Sequence, residues 1–308
     1  METKVTVIIP IYNSQDSLRE CVFSVLNQTF QDFEILLIND GSTDDSLKIC
    51  KELELLDNRI RVFTKENGGV SSARNVGIDN AIGEWLAMLD ADDQFASTRL
   101  ENLYRFASSN DFNLVFDNMK GLNKSGGEYW PSWRDRSKEL HINEMLRSCT
   151  GLTRKTYSIL KPFVRRNYLF ENQLRYNEVL RQSEDFEFYI KIMLRAKVAG
   201  RVANVGYFYN EPDYKKTESS LLKNASMLYV EHRLKATELI VQNGIEYLSI
   251  CSRLWLLIRL KNMKTSDKVL RLKALRLERD YLSSFTFMIR NPWLVFRKLI
   301  RIYVRLVE

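Results

Sequence analysis

The first two thirds of the chain predict an α/β fold with a mostly parallel central sheet flanked by helices, and the remainder predicts a helical C-terminal extension. Three observations lead there. Short continuous apolar runs, the pattern of strands buried on both faces, alternate with segments whose apolar residues recur at helical spacing. The apolar runs break at polar, turn-forming loops. With 308 residues, 45% of them hydrophobic and only 12 glycines and 5 prolines, the chain can bury a sizeable core and is not low-complexity.

The elements follow in order. Val5 to Ile9 and Phe33 to Ile38 read as buried strands, and between them Leu18, Cys21, Val22, Val25 and Leu26 keep helical spacing. Asp40-Gly41 ends the second strand, and Ser42-x-x-Asp45 resembles a helix start ahead of Leu47, Ile49 and Cys50. Ile60 to Phe63 is a third strand, which leads through Asn67-Gly68-Gly69 into a helix from Ser71 to Ala81. Trp85 to Leu89 is a fourth, broken at Asp90-Ala91-Asp92-Asp93. Beyond Asn110 the pattern weakens. Leu114 to Phe116 suggests a strand, while Gly126-Gly127 with Trp130 and Trp133 reads as a loop. Ser183 to Ala196 reads as helix, Val202 to Tyr209 as strand, and 221–308 as almost all helix, so a boundary is expected near 220.

The net charge of +7 is unevenly placed. From Arg253 onward there are fourteen lysines and arginines against four acidic residues, so the rest of the chain is slightly acidic. That argues against nucleic acid as a partner of the main domain and points the tail toward an anionic surface. Cys21, Cys50, Cys149 and Cys251 form no C-x-x-C pair, which fits a reducing compartment. The apolar run before Pro10 is too short for a signal-peptide core, and no stretch reaches the roughly 20 apolar residues of a spanning helix, so a cytoplasmic location with peripheral membrane contact is expected.

Parallel α/β sheets bind ligands at the carboxyl ends of their strands. Those ends carry Pro10-Ile11-Tyr12-Asn13, Asn39-Asp40-Gly41 and Asp90-Ala91-Asp92-Asp93, three polar loops expected on one rim. The crowded carboxylates of Asp90 and Asp92 suit a hard divalent cation, Mn2+ or Mg2+. The competing reading is that these aspartates only begin a helix near Ser97.

The surrounding sequence decides between the two. Val5 to Asn13, Ser24-Val25-Leu26-Asn27-Gln28-Thr29, Ile38 to Asp44, Gly68-Gly69-Val70-Ser71-Ser72-Ala73-Arg74-Asn75-x-Gly77 and Leu89 to Asp93 occur in an order and spacing that resembles the family 2 glycosyltransferases of GT-A fold. Leu160-Lys161-Pro162-Phe163-Val164-Arg165-Arg166 and Ser183-Glu184-Asp185-x-Glu187-Phe188 resemble the acceptor-side half, especially that of bacterial exopolysaccharide enzymes. The resemblance covers roughly residues 4 to 215. It implies a Rossmann-like domain over residues 1–220 and a metal-dependent, inverting hexosyltransferase. The donor would be a nucleotide sugar, UDP-linked by the character of the base-binding residues. The acceptor would be a hydroxyl of a glycan or polyisoprenoid-linked saccharide in surface polysaccharide synthesis.

Carried over residue by residue, the resemblance implies that Pro10, Tyr12, Asn13 and Asp40 hold the nucleotide, with Tyr12 stacking on the base and Asp40 accepting the uracil N–H. Arg74 lies near base and phosphates. Asp90 faces the ribose, Ala91 lies beside it, and Asp92 carries the cation that bridges the pyrophosphate, with Asp90 as a second candidate ligand. Asp185 is the base, with Glu184 beside it. Such an arrangement stabilises the departing diphosphate while the base takes the acceptor proton, and one in-line displacement inverts the anomeric carbon.

The sequence departs from the family pattern in two places. Asn39 stands where many relatives have Asp, and Asn210 follows Tyr207-x-Tyr209 where many have Arg or His, with Lys215 or Lys216 as possible substitutes. His141 and His232 read as structural. In the tail, Arg297, Lys298, Arg301 and Arg305 share one face of a helix over Pro292 to Val307, a basic amphipathic pattern suited to the inner face of the cytoplasmic membrane. Ordinary packing against the domain or a partner chain is the alternative. Two rival functions are a sugar nucleotidyltransferase, which usually has a glycine-rich basic loop after its first strand, and an inactive relative serving as a membrane assembly partner. A phosphate-loop ATPase is excluded, since no G-x-x-x-x-G-K-[ST] occurs.

Overall fold

The computed structural model describes residues 3–121, 129–130, 139–142, 144, 160–181 and 184–210. The boundary near 220, the helical region 221–308 with its basic tail, and Lys215 and Lys216 lie outside the described residues, as does the loop reading of Gly126, Gly127 and Trp133.

The first half alternates as the apolar periods require. β1 (Val5–Ile11), α1 (Leu18–Leu26), β2 (Phe33–Asp40), α2 (Ser46–Leu56), β3 (Ile60–Lys65), α3 (Val70–Asn80) and β4 (Trp85–Met88) follow one another. Next come β5 (Gln94–Phe95), α4 (Arg99–Ser108), β6 (Leu114–Gly121), β7 (Tyr129–Trp130), β8 (Glu139–His141), β9 (Phe163–Arg165), α5 (Arg166–Glu171), α6 (Glu184–Ala196) and β10 (Val198–Tyr209).

The main path of the sheet runs β3-β2-β1-β4-β9-β6-β10-β5. β3, β2, β1 and β4 are parallel, β10 is parallel to β6, and β9 enters antiparallel between β4 and β6. β1 and β2 are buried along their whole length, which is why they read as unbroken apolar runs. Glu34, an acid buried inside this region, accepts from Thr6 Oγ1 at 2.6 Å, Ile82 N at 2.8 Å and Arg61 Nη1 at 2.9 Å, so both of its oxygens are engaged. α3 lies close on β1 because Gly77 has no Cβ; one placed there would stand 2.3 Å from Ile8 Cγ2.

Sequence periodicity missed the short strands. Trp130 belongs to β7, paired antiparallel with β6, rather than to a loop. β9 takes its place in the sheet through Phe163, whose ring stacks on Trp85 with centroids 4.9 Å apart and planes 4° from parallel. Three residues carry no period to read, and here aromatic packing sets the pairing.

Candidate active site

Tyr12 and Asn13 follow β1 at the carboxyl rim of the sheet, where Tyr12 is 51% exposed. Asn13 turns the chain with a φ of 50°, a conformation asparagine tolerates better than most residues. Its Oδ1 then accepts from Thr43 N at 2.8 Å, while Ser14 N donates to Ser46 Oγ at 2.8 Å and Gln15 N to Asp44 Oδ2 at 3.1 Å. The loops after β1 and β2 are therefore one laced unit. Ser17 Oγ donates to Ala91 O at 2.9 Å and fastens the loop after β4 to the same unit. Pro10 is buried in β1, paired in register with Ile38.

Asp40 is buried at the end of β2 and organises the next loop. It accepts from Lys65 Nζ at 2.8 Å, Gly68 N at 2.9 Å and Gly69 N at 2.7 Å. Gly69 has a φ of +86°, the left-handed region open to glycine. Of the roughly four acceptor positions of a carboxylate, about one remains for an outside donor.

Asp90, Asp92 and Asp93 diverge in their surroundings. Both oxygens of Asp90 are claimed by cations, Oδ1 by Arg74 Nη2 at 2.8 Å and Oδ2 by Lys161 Nζ at 2.7 Å. Burial alone would raise its pKa, but Lys161 and Arg74 outweigh it and hold the carboxyl well below the usual range. Asp93 is completely buried, accepts from the Tyr207 hydroxyl at 2.5 Å and Asn210 N at 2.8 Å, and so ties the loop to the end of β10. Burial, with the charge of Asp90 adding to it, pushes its carboxyl up to about 7.

Asp92 is exposed and makes no hydrogen bond or ion pair among the described residues. Burial of its carboxyl and then repulsion from Asp90 raise its pKa. A carboxylate with free lone pairs and no cation of its own is the group in this loop best suited to a hard cation. Among the described residues no group of three or more His, Cys, Asp or Glu side chains is set to hold a metal. A cation here would need ligand oxygens from a bound molecule beside Asp92.

Glu184 and Asp185 open α6, which meets the loop after β4 through Arg74 and Lys161. Asp185 Oδ1 lies 2.6 Å from Arg74 Nη1, and its Oδ2 lies 2.8 Å from Lys161 Nζ. Arg74 and Lys161 thus close a ring of four charges with Asp90 and Asp185. Glu184 adds a longer contact, 3.3 Å, to Arg74 Nη1, and burial followed by the charge of Asp185 raises its pKa. The ring brings Arg74, Asp90 and Asp185 together as expected residues of one site, and adds Lys161.

The sequence reading passed over the partners that hold these elements together. Lys161 is 6% exposed, and its signal was a lysine embedded in the apolar run from Leu160 to Val164. Asn75, one residue beyond Arg74, exchanges hydrogen bonds of 2.9 Å with Tyr176 O and Tyr176 N, and so clips α3 to the segment before α6. Gln28, in the quoted Ser24 to Thr29 stretch, bonds Ala96 O at 2.8 Å and Leu100 N at 3.0 Å, a structural tie from α1 to α4.

Residues 6–174 match the family model described as glycosyl transferase family 2. The chain is 30% identical to the uncharacterized glycosyltransferase YibD of Escherichia coli K12 over 248 residues, 79% of this chain and 72% of that one. It is 40% identical to the glycosyltransferase GlyG of Streptococcus pneumoniae over 131 residues, which is 42% of this chain. The matched stretches span only 44% of GlyG and 19% of GlyA from the same organism. In fold, S. aureus TarS 1-349 in complex with UDP-GlcNAc superposes with a TM-score of 0.67 at 22% identity, covering 90% of this chain and 80% of that one. The Pyrobaculum calidifontis mannosyltransferase PcManGT in complex with GDP-Man and Mn2+ gives 0.58 at 15%, covering 98% of this chain and 81% of that one. A mostly parallel GT-A sheet and a family model matched over more than half the chain agree: the chain belongs to glycosyl transferase family 2.

Proposed function

We propose that the protein transfers a sugar, with inversion, from a nucleotide sugar to a hydroxyl of a glycan or lipid-linked saccharide. One observation carries the reading. Asp90, beside Asp92 on the donor-side loop, and Asp185, on the acceptor-side helix, are gripped by the same Arg74 and Lys161 and so stand in one cluster.

In this reading Tyr12, exposed at the rim, stacks on the nucleotide base, and Asp40 meets it with its remaining acceptor position while holding the loop through Gly69. Asp90 faces the ribose. Asp92, the unpartnered carboxylate, would hold Mn2+ or Mg2+, which would supply stabilisation of the negative charge that forms on the leaving group. Asp185 takes the proton of the attacking hydroxyl. Arg74 and Lys161 occupy about two of its four acceptor positions, which leaves lone pairs for that proton. A UDP-linked donor is favoured by the resemblance of the base-binding residues, and surface polysaccharide synthesis by that of the acceptor-side motifs.

Purified protein supplied with UDP-glucose, UDP-galactose and their N-acetyl forms, with Mn2+ or Mg2+, should release UDP, and EDTA should stop it. No binding or turnover of any donor, together with no effect of Asp92→Ala, would remove the transferase reading and leave an inactive assembly partner. Formation of a nucleotide sugar from a sugar phosphate and a nucleoside triphosphate would favour the nucleotidyltransferase instead. We also propose that the basic C-terminal segment holds the protein on an anionic membrane; no helix among the described residues is long and apolar enough to cross one. Truncation after about residue 288 should then move the protein from membranes to the soluble fraction. Unchanged fractionation would reject the attachment.

A further inference from the structure

We propose that Lys161 is a positioning residue of the transfer, one that fixes the carboxylate of Asp185 against the donor-side Asp90. This rests on the reading of Asp185 as the base.

The Lys161 ammonium sits between two carboxylates, 2.7 Å from Asp90 Oδ2 and 2.8 Å from Asp185 Oδ2. A carboxylate held at one oxygen still swings about its Cβ–Cγ bond. Arg74 already holds Oδ1 of both acids, so Lys161 supplies the second grip on each and fixes their planes. The lone pairs left on Asp185 then have a set direction. A base that must meet an acceptor hydroxyl in line with an anomeric carbon needs that fixed direction. A compact ammonium suits a gap shared by two single oxygens better than the wide fork of a guanidinium.

Lys161 is itself anchored from behind. Its carbonyl accepts from Arg99 Nη2 at 3.1 Å. Arg99 is locked by a two-point pair with Asp117, 2.8 and 3.0 Å, and its guanidinium lies 4.2 Å from the centroid of the Phe95 ring. Arg99 and Asp117 are both buried, so a chain of buried contacts runs from β6 through α4 to the Lys161 backbone. Burial disfavours the charged amine, but Asp185 and then Asp90 outweigh it, so the group remains an ammonium throughout the working pH range. It does not move a proton. It sets where the proton goes.

A buried ion pair that merely holds two halves of the fold together predicts something different from a positioning group. The test uses the full chain, the UDP-sugar that gives the fastest UDP release, saturating Mn2+ and water standing in as acceptor. In Lys161→Ala the turnover number should fall about a hundredfold while the KM for donor changes by less than about threefold. Propylammonium, which returns the missing charge, should restore about tenfold of that loss in a saturable way and leave the unsubstituted protein unaffected. Lys161→Met, which keeps the side-chain volume, should show the same kinetic loss without rescue.

Turnover within about threefold of the parent in either variant would overturn the proposal, as would a folded Ala variant that shows no response to the amine. Loss of the cooperative melting transition in both variants would assign Lys161 to folding alone and overturn it too. An unsubstituted chain that turns over no donor would instead remove the transferase reading, and this proposal with it. An active parent with an inactive Asp92→Ala variant and an indifferent Lys161 would defeat the positioning role alone.

Discussion

The Arg74 guanidinium joins the loop after β4 to the start of α6, with Nη1 2.6 Å from Asp185 Oδ1 and Nη2 2.8 Å from Asp90 Oδ1. Its side chain is 3% exposed, and its Cζ lies 5.1 Å from the centroid of the Tyr176 ring. Arg74 meets the two Oδ1 atoms with two different nitrogens of one rigid fork, a division that the single nitrogen of a lysine at this position does not reproduce. Arg74→Lys should therefore keep the charge and lose the span. Breaking a buried ion network costs about 3 kcal/mol or more, because a partner is left desolvated and unpaired. Urea unfolding of Arg74→Lys should show a loss of that order, and UDP release should fall with it. A variant as stable and as active as the parent would show that the bridge does not matter.

Asp90 and Asp92 should respond in opposite ways to the same change. Asp90 is paired twice, so Asp90→Asn should lower the melting temperature at neutral pH. Asp92 has no partner among the described residues and is repelled by Asp90, so Asp92→Asn relieves a repulsion. Its melting temperature should hold or rise while metal-dependent UDP release falls about a hundredfold, the scale of losing one charge-stabilising group. Parallel thermal melts and release assays of the two variants check this. A destabilised Asp92→Asn would mean that its carboxylate serves the fold rather than a ligand.

Gly69 shapes the loop that the proposed function sets against the nucleotide base. Its amide donates to Asp40 Oδ2 at 2.7 Å with a φ of +86°, and a Cβ there would stand 1.8 Å from Arg181 Nη1. Gly69→Ala must displace that guanidinium and adopt a backbone conformation, φ +86° and ψ 165°, that costs an L-residue about 1–3 kcal/mol. The expected result is a loss of stability on that scale and, under the proposed function, in which Asp40 meets the base, a higher KM for donor with little change in turnover number. An unchanged KM would separate this loop from donor binding.

The sequence revealed most where one residue's surroundings come from its own element. β1 and β2 were legible because both faces are buried, and the structure only lengthens them to Ile11 and Asp40. The expected cap at Ser42 was displaced by tertiary demand. Ser42 Oγ accepts from Asn13 N at 3.1 Å, and Asp44 Oδ1 takes the first free amide of α2, Ser46 N, at 3.0 Å. Asp90 and Asp185 could be named from motif spacing, but nothing local says that each is held by two cations. Lys161 stands 24 residues from Asp185 and Arg74 stands 111, separations at which pattern carries no information. Arg99 and Asp117 were missed for the same reason, since a buried pair reads in sequence as two ordinary surface charges.

Asp93 gives the fold a pH dependence that its neighbours do not share. Its carboxyl is pushed up to about 7, by burial and then by Asp90, against the opposing hydrogen bonds from Tyr207 and Asn210. An unfolded aspartate titrates near about 3.9, so the folded protein binds this proton more tightly than the unfolded chain does. The stability it contributes is complete below about pH 4 and is lost as pH rises through about 7. Asp93→Asn imitates the protonated form, with an oxygen for Asn210 N and an amide for the Tyr207 hydroxyl. Melting temperatures of EDTA-treated protein between about pH 5 and about pH 8 should fall more steeply for the parent than for Asp93→Asn. Two profiles of equal slope would mean that the proton is not there, and that the Tyr207 hydroxyl faces a carboxylate charged across the whole range.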